Sequence, residues 1–311
     1  MTQDASPKWI TMNRRLFLGQ AAIGATVCGL SSLLTTKAAE FAAETAAEIP
    51  VIQNGRVRQS VMGWCFNPMD AVTLADHAKR IGLVAMEGVP ASAYPAIVAK
   101  GLAISLVSSH GFTNGPLDPD NHAEVEKKLR DGIDLAEKFG APNVITFTGM
   151  KKAGISDEAA KRNCLAAWKR VVPYAEEKKI GIVLEHLNSQ DDSHPMKGHP
   201  GYWGDQLDLC ADLIRSVDSP CFKLLFDIYH VQIMHGDLMR NVRLYHPLVG
   251  HYHTAGNPGR GELDENQEIN YPAVVRTIME TGYRGYLAQE FIPTWDDPIA
   301  ALAHAAKVCD V

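Results

Sequence analysis

The sequence predicts a single (β/α)8 TIM barrel preceded by a short N-terminal export signal. Three observations point to the barrel. Eight short apolar runs alternate with longer amphipathic segments across residues 61–308. That span is about 250 residues, the usual size of this fold. The turn after the first run, Phe66-Asn67-Pro68-Met69, lacks the glycine fingerprint that an open doubly wound sheet carries there. The composition, 46% apolar and 21% charged, excludes a disordered or collagen-like chain.

The first element is an address. Asn13-Arg14-Arg15-Leu16-Phe17-Leu18-Gly19 precedes a mildly apolar stretch over 20–34 and an Ala-rich exit. Paired arginines, a modest hydrophobic core and small residues form a secretory signal, here of the twin-arginine type. It predicts an exported, periplasmic protein. The core is too short and too rich in Gly and Thr for a membrane span, so no stable membrane insertion is expected. Residues 1–40 are read as the signal, 41–60 as a linker and 61–311 as the barrel. Without residues 1–40 the chain keeps 26 basic and 34 acidic side chains, a net charge of −8. That balance argues against a nucleic-acid partner. Five cysteines remain, with no CxxC spacing, so neither a disulfide framework nor a structural zinc site is expected.

The strands are read at 61–66, 83–89, 103–110, 144–149, 180–188, 222–230, 249–256 and 285–291. Each is short, β-branched or aromatic, and bounded by turn residues. Asp118-Pro119-Asp120 opens a helix whose inner face is Val125, Leu129, Ile133 and Ala136. A second helix runs over 157–179, with Leu165, Trp168, Val171 and Val172 apolar. Others fit 70–80, 92–100, 204–217, 235–246, 271–282 and 296–308. Gly82, Gly101, Gly140 and Gly282 mark helix ends.

In such a barrel, chemistry sits at the carboxyl ends of the strands. Runs five to eight end in ionisable residues: Glu185, Asp227, His253 and Glu290. One buried carboxylate is costly to desolvate, and is more often an ion-pair partner than a ligand. Four such side chains from consecutive strands offset the cost by sharing a cation. Three carboxylates and one imidazole suit Mn2+, Mg2+ or Co2+, with Zn2+ also accommodated. His251 and His253 share a strand face, and His253 lies nearer the carboxyl end, so His253 is the expected ligand. His251 is then a supporting or core residue. Arg260, in the glycine-rich loop after strand seven, presents a planar fork suited to a carboxylate or hydroxyl-rich substrate. His110, His199 and His230 fall at the same mouth and complete the candidate substrate-binding set. The loop over 189–204, with Tyr202 and Trp203, has the length of a lid.

Several stretches resemble the hydroxypyruvate isomerase family. They are Asp227-Ile-Tyr-His230, His199-Pro-Gly-Tyr202, Asn257-Pro-Gly-Arg-Gly-Glu262 with Gln267-Glu-Ile-Asn-Tyr-Pro272, and residues 282–293. The resemblance covers residues 60–308 and places the chain in the wider xylose isomerase-like barrel superfamily. It implies that Glu185 and Glu290 act as acid and base. It also implies that these two, with Asp227 and His253, hold a divalent metal. The implied reaction interconverts hydroxypyruvate and tartronate semialdehyde, or a similar small sugar acid, and the implied partners are a small-molecule substrate and further copies of the chain. The hydroxypyruvate isomerase family commonly has Gln at the position of His253; His253 instead resembles the ketose 3-epimerases, which keeps an epimerase or another sugar isomerase on the same site as the alternative. A non-catalytic, exported carbohydrate-binding barrel is the alternative of a different class.

Overall fold

The computed structural model describes residues 50–311; the signal assigned to 1–40 and the first part of the 41–60 linker lie outside the described residues. Eight parallel strands form one sheet in the order β3-β2-β1-β8-β7-β6-β5-β4. They are β1 (Arg58–Met62), β2 (Ala85–Glu87), β3 (Ala103–Leu106), β4 (Asn143–Thr146), β5 (Gly181–Glu185), β6 (Phe222–Asp227), β7 (Val249–Thr254) and β8 (Tyr286–Gln289). At the seam between β3 and β4, Val107 N–H donates to the Asn143 carbonyl at 2.9 Å and Ile145 N–H to the Val107 carbonyl at 3.0 Å. The sheet is therefore a nearly closed (β/α)8 barrel.

The helices are α1 (Ala71–Ile81), α2 (Tyr94–Ala99), α3 (His122–Phe139), α4 (Asp157–Lys178), α5 (Leu207–Val217), α6 (Ile228–Met234), α7 (Leu238–Tyr245), α8 (Tyr271–Glu280) and α9 (Pro298–Val308). Side-chain oxygens of Asp70, Ser156, Asn270 and Asp297 accept the free N–H groups that open α1, α4, α8 and α9. Gly82 and Gly140 end α1 and α3 at φ 101° and 70°, a left-handed geometry that glycine adopts without Cβ strain. Between helices and barrel, Trp168 is fully buried, stacks near Phe222 and donates from Nε1 to Thr146 Oγ1 at 3.1 Å. At the chain's end, the Asp310 carboxylate accepts from the N–H groups of Gln53, Asn54 and Gly55 at 2.7, 2.8 and 2.9 Å. It ties the segment ahead of β1 to the C-terminus. No helix among the described residues is long and apolar enough to cross a membrane.

Two elements differ from the sequence reading in ways that shape the site. The first strand starts at Arg58, and Gly63–Phe66 curls into a 3-10 turn instead of continuing it. A Cβ on Gly63 would meet Val89 Cγ1 at 2.2 Å, so this turn presses close against the end of β2. The sixth strand stops at Asp227. There Oδ1 accepts from Tyr229 N–H at 2.8 Å and His230 N–H at 3.2 Å, which starts α6 where an extended run was expected.

Candidate metal centre and active site

The register of the strands brings the four candidate ligands level. Asp227 pairs opposite His253 across β6 and β7. Glu185 is the last residue of β5, and Glu290 follows β8 directly. One ligand atom from each of Glu185, Asp227, His253 and Glu290 lies within 4.8 Å of the other three. His253 Nδ1 is 2.7 Å from Glu290 Oε2 and 3.4 Å from Glu185 Oε1. All three of these atoms are buried, and none makes an aligned hydrogen bond. They crowd toward a common point without satisfying one another.

This is what a divalent cation site requires. Three buried carboxylates and one imidazole match a hard or borderline metal ion, and the unpartnered lone pairs are a cost that such an ion would remove. The residues present therefore fit the group.

Charge within the cluster is uneven. Burial pushes the Asp227 carboxyl up to about 7, against the pull of Arg260. Burial also raises Glu185, with Glu290 adding to the effect. Glu290 resists burial because Arg260 and His253 lie against it, and it is held down to about 2. Burial alone would pull His253 down, but Glu290, Glu185 and Glu87 outweigh it and raise it well above the ordinary imidazole range.

Arg260 is buried against this cluster. Its Nη2 is 2.7 Å from Glu290 Oε2 and donates to Asp227 Oδ2 at 3.5 Å, while Nη1 donates to the Met196 carbonyl. Its backbone sits at φ 55°, in the left-handed region, between Gly259 and Gly261. A cavity of about 270 Å³ opens above the cluster. Its lining includes Glu185, Glu290, Arg260, His199 and His110 together with the apolar side chains of Leu106, Phe112, Ile145, Phe147 and Leu187. His199 packs on Phe112 at 4.1 Å between ring centres. The imidazole Nε2 of His110 lies 2.9 Å from Thr146 Oγ1. Burial pulls both histidines down to about 4, so both face the cavity as neutral rings. His230 is not part of the cavity wall. It is fully buried, with Nε2 3.6 Å from Asp227 Oδ2 and Nδ1 2.6 Å from Asn188 Nδ2.

The loop over 189–204 is anchored at its aromatic end. Tyr202 and Trp203 are buried. Tyr202 Oη accepts from Thr148 N–H and donates to the Glu185 carbonyl, both at 2.9 Å. That pair of bonds fixes the end of β5, from which Glu185 projects. Sequence reasoning missed a further acidic residue, Glu87, at the end of β2 and fully buried. Burial alone would raise its carboxyl, but His251 and His253 hold it well below the usual range, as a carboxylate. The available signal was a single charge inside the apolar run 83–89.

The chain belongs to the xylose isomerase-like TIM barrel family, whose sequence profile matches residues 70–309. It is 29% identical over 183 residues to the putative hydroxypyruvate isomerase of Homo sapiens, covering 57% of this chain and 64% of that protein. It is 25% identical over 179 residues to the 2-oxo-tetronate isomerase of Cupriavidus necator, covering 56% of this chain and 64% of that one. The match thus spans just under two thirds of the length of these relatives. Among solved structures, 3-keto-D-glucoside 4-epimerase from E. coli shares the fold with a TM-score of 0.67 at 16% identity, covering 80% of this chain and 97% of that one.

Proposed function

We propose that this chain is a sugar isomerase that interconverts hydroxypyruvate and tartronate semialdehyde, or a similar small 2-keto/2-hydroxy sugar acid. The observation that carries the reading is the convergence of Glu185, Asp227, His253 and Glu290, whose ligand atoms lie within 4.8 Å of one another, beneath a cavity that also presents Arg260. These four residues would hold a divalent cation of the Mn2+, Mg2+ or Co2+ type. When bound, it supplies positive charge where the substrate's carbonyl oxygen becomes anionic.

The remaining work falls to the chain's own side chains. Arg260, with His199 and His110, orients the substrate carboxylate. One of Glu185 and Glu290 removes the proton from the hydroxyl-bearing carbon, giving an enediolate. The same or the other glutamate returns it to the neighbouring carbon, and the hydroxyl proton passes from the first oxygen to the former carbonyl oxygen, so atoms balance with no co-reactant. The packed barrel and the loop over 189–204 limit the water that reaches the enediolate. His230 braces Asp227 from behind the cavity. The reading also includes export of the chain to the periplasm through residues 1–40, which fractionation of expressing cells tests directly.

A second reading, a ketose 3-epimerase, is favoured by one observation. The cavity, at about 270 Å³ and lined in good part by apolar side chains, is larger than a three-carbon acid fills. In that case the proton returns to the opposite face of the same carbon.

The test is proton NMR in D2O on Mn2+- or Mg2+-treated protein, with hydroxypyruvate and with a panel of ketoses. Conversion of hydroxypyruvate with deuterium incorporation supports the first reading, and deuterium at C3 of a ketose supports the second. Binding without exchange leaves a carbohydrate-binding barrel. Full activity in both Glu185→Gln and Glu290→Gln overturns the acid–base scheme.

A further inference from the structure

Glu87 is used by neither the ligand set nor the cavity wall, yet both of its carboxylate oxygens are engaged. β2 and β7 are separated by β1 and β8 in the sheet order, so contacts between them cross the barrel interior. Across that gap, His253 Nε2–H donates to Glu87 Oε1 at 2.8 Å. The other oxygen, Oε2, accepts from Ser105 Oγ at 2.5 Å, and Ser105 Oγ lies 2.5 Å from Ser60 Oγ. His251 Nε2 lies 2.9 Å from the same Oε2. Glu87, His251 and His253 are close enough to resemble a second metal-ligand triad. The hydrogen bonds argue against that use, because a His253 Nε2 that donates its proton to Glu87 has no lone pair left for an ion.

We propose that Glu87 is a positioning residue that locks the His253 ring, so that Nε2 carries the proton and Nδ1 is presented to Glu185 and Glu290. The proposal rests on the cation-site reading above and adds to it how the one nitrogen ligand is aimed. A ring flip about the Cβ–Cγ bond would break the bond to Glu87 and turn a carbon toward the carboxylates. The Nε2–H···Oε1 bond opposes that flip, and Ser105 holds the carboxylate that accepts it. Hydrogen-bonding a ligating histidine through its other nitrogen fixes tautomer and orientation, and strengthens the ligand nitrogen as a donor. His251, one alternation deeper on β7, lies against the same carboxylate and limits its movement.

The test titrates the full chain with Mn2+, following free ion by electron paramagnetic resonance. Wild type, Glu87→Gln, Ser105→Ala and Asp227→Asn are compared after chelator treatment. Glu87→Gln keeps the volume and one acceptor while removing the charge, and loss of such a partner typically weakens metal affinity about 10–100-fold. Ser105→Ala, which leaves the charge in place, gives a smaller loss in the same direction. Unchanged Mn2+ affinity in Glu87→Gln alongside weakened binding in Asp227→Asn overturns this proposal alone. Wild-type protein that binds no Mn2+ overturns the cation-site reading and the proposal with it. A measurement on wild type keeps the test open if Glu87→Gln does not fold. In Co2+-loaded protein, His253 must show one hyperfine-shifted N–H proton that exchanges slowly with solvent. A rapidly exchanging or absent N–H signal overturns the proposal.

Discussion

Asp227→Asn separates the cost of the cluster from its use. Asp227 is fully buried, and burial pushes its carboxyl from 3.8 up to about 7. A carboxyl raised in the folded state makes folding less favourable as pH rises from about 4 through about 7, because the unfolded chain ionises more readily. Above pH 7 that gap corresponds to about 4 kcal/mol. Asparagine removes the ionisation but keeps the helix cap, since its Oδ1 can still accept from Tyr229 and Tyr229's neighbour His230. Arg260 keeps a carboxylate partner in Glu290 at 2.7 Å. In EDTA at pH 8, Asp227→Asn is therefore expected to be more stable than wild type by about 2–4 kcal/mol, seen as roughly a 10 °C rise in Tm. By pH 4 the difference falls below about 1 kcal/mol. Saturating Mn2+ cancels or reverses the order, because a ligand that binds the folded state at a thousand times its Kd adds about 4 kcal/mol to the protein that retains the site. Urea denaturation with and without Mn2+, at several pH values, measures all three effects. A variant less stable than wild type by the same amount at every pH in EDTA would refute the reasoning. It would show that Asp227 is held as a stabilising ion-pair partner of Arg260.

Three further expectations follow from contacts described above. Arg260→Lys loses the fork that reaches Asp227, Glu290 and the Met196 carbonyl, and kcat/KM on a carboxylate substrate should fall about 10–100-fold, the worth of a charge-assisted hydrogen bond. Equal kcat/KM would remove Arg260 from the substrate site. Tyr202→Phe strands Thr148 N–H and the Glu185 carbonyl in a buried place, so chemical denaturation should show a loss of about 1–3 kcal/mol, with reduced turnover from a loosened Glu185. Asp310→Ala frees three N–H groups at an exposed site, and a loss of about 1–2 kcal/mol with earlier proteolysis ahead of β1 is expected; unchanged proteolysis would show that the tie is dispensable.

Most of the barrel is legible in the sequence because its strands are buried on both faces and read as unbroken apolar runs. The same property hides where a run turns helical. Ile228, Tyr229 and Val231 are as buried as the strand before them, so hydropathy carried the sixth strand through to His230. Only the capping by Asp227 ends it, and a cap is a local hydrogen bond rather than a change of polarity. The first run misleads in a similar way, since Cys65 and Phe66 remain buried while the backbone curls at Gly63. The four convergent residues were legible because each is a charged or polar residue closing an apolar run. Glu87 was not. Its own run continues through Val89, and its partner His253 lies 166 residues away. The burial of Arg260 was also hidden, because a glycine-rich loop reads as exposed until its left-handed turn is seen.

Charge argues for the cation independently of the ligand distances. Glu87, Glu185, Asp227 and Glu290 are all buried at one end of the barrel, and among the described residues Arg260 is the permanently charged group set against them. Buried charges of one sign persist only when something compensates them. Protons share in that compensation: the surrounding carboxylates raise His253 well above the ordinary imidazole range, and burial raises Glu185 and Asp227 toward their neutral forms. In that site a bound divalent ion would stand in for those protons, and Glu185 and Glu290 would then be ionised, the state in which a glutamate can take a proton from carbon. Glu87 stands apart from this exchange. Its two oxygens already accept from His253 and Ser105, so it remains a carboxylate either way and fixes which nitrogen of the imidazole would meet an ion.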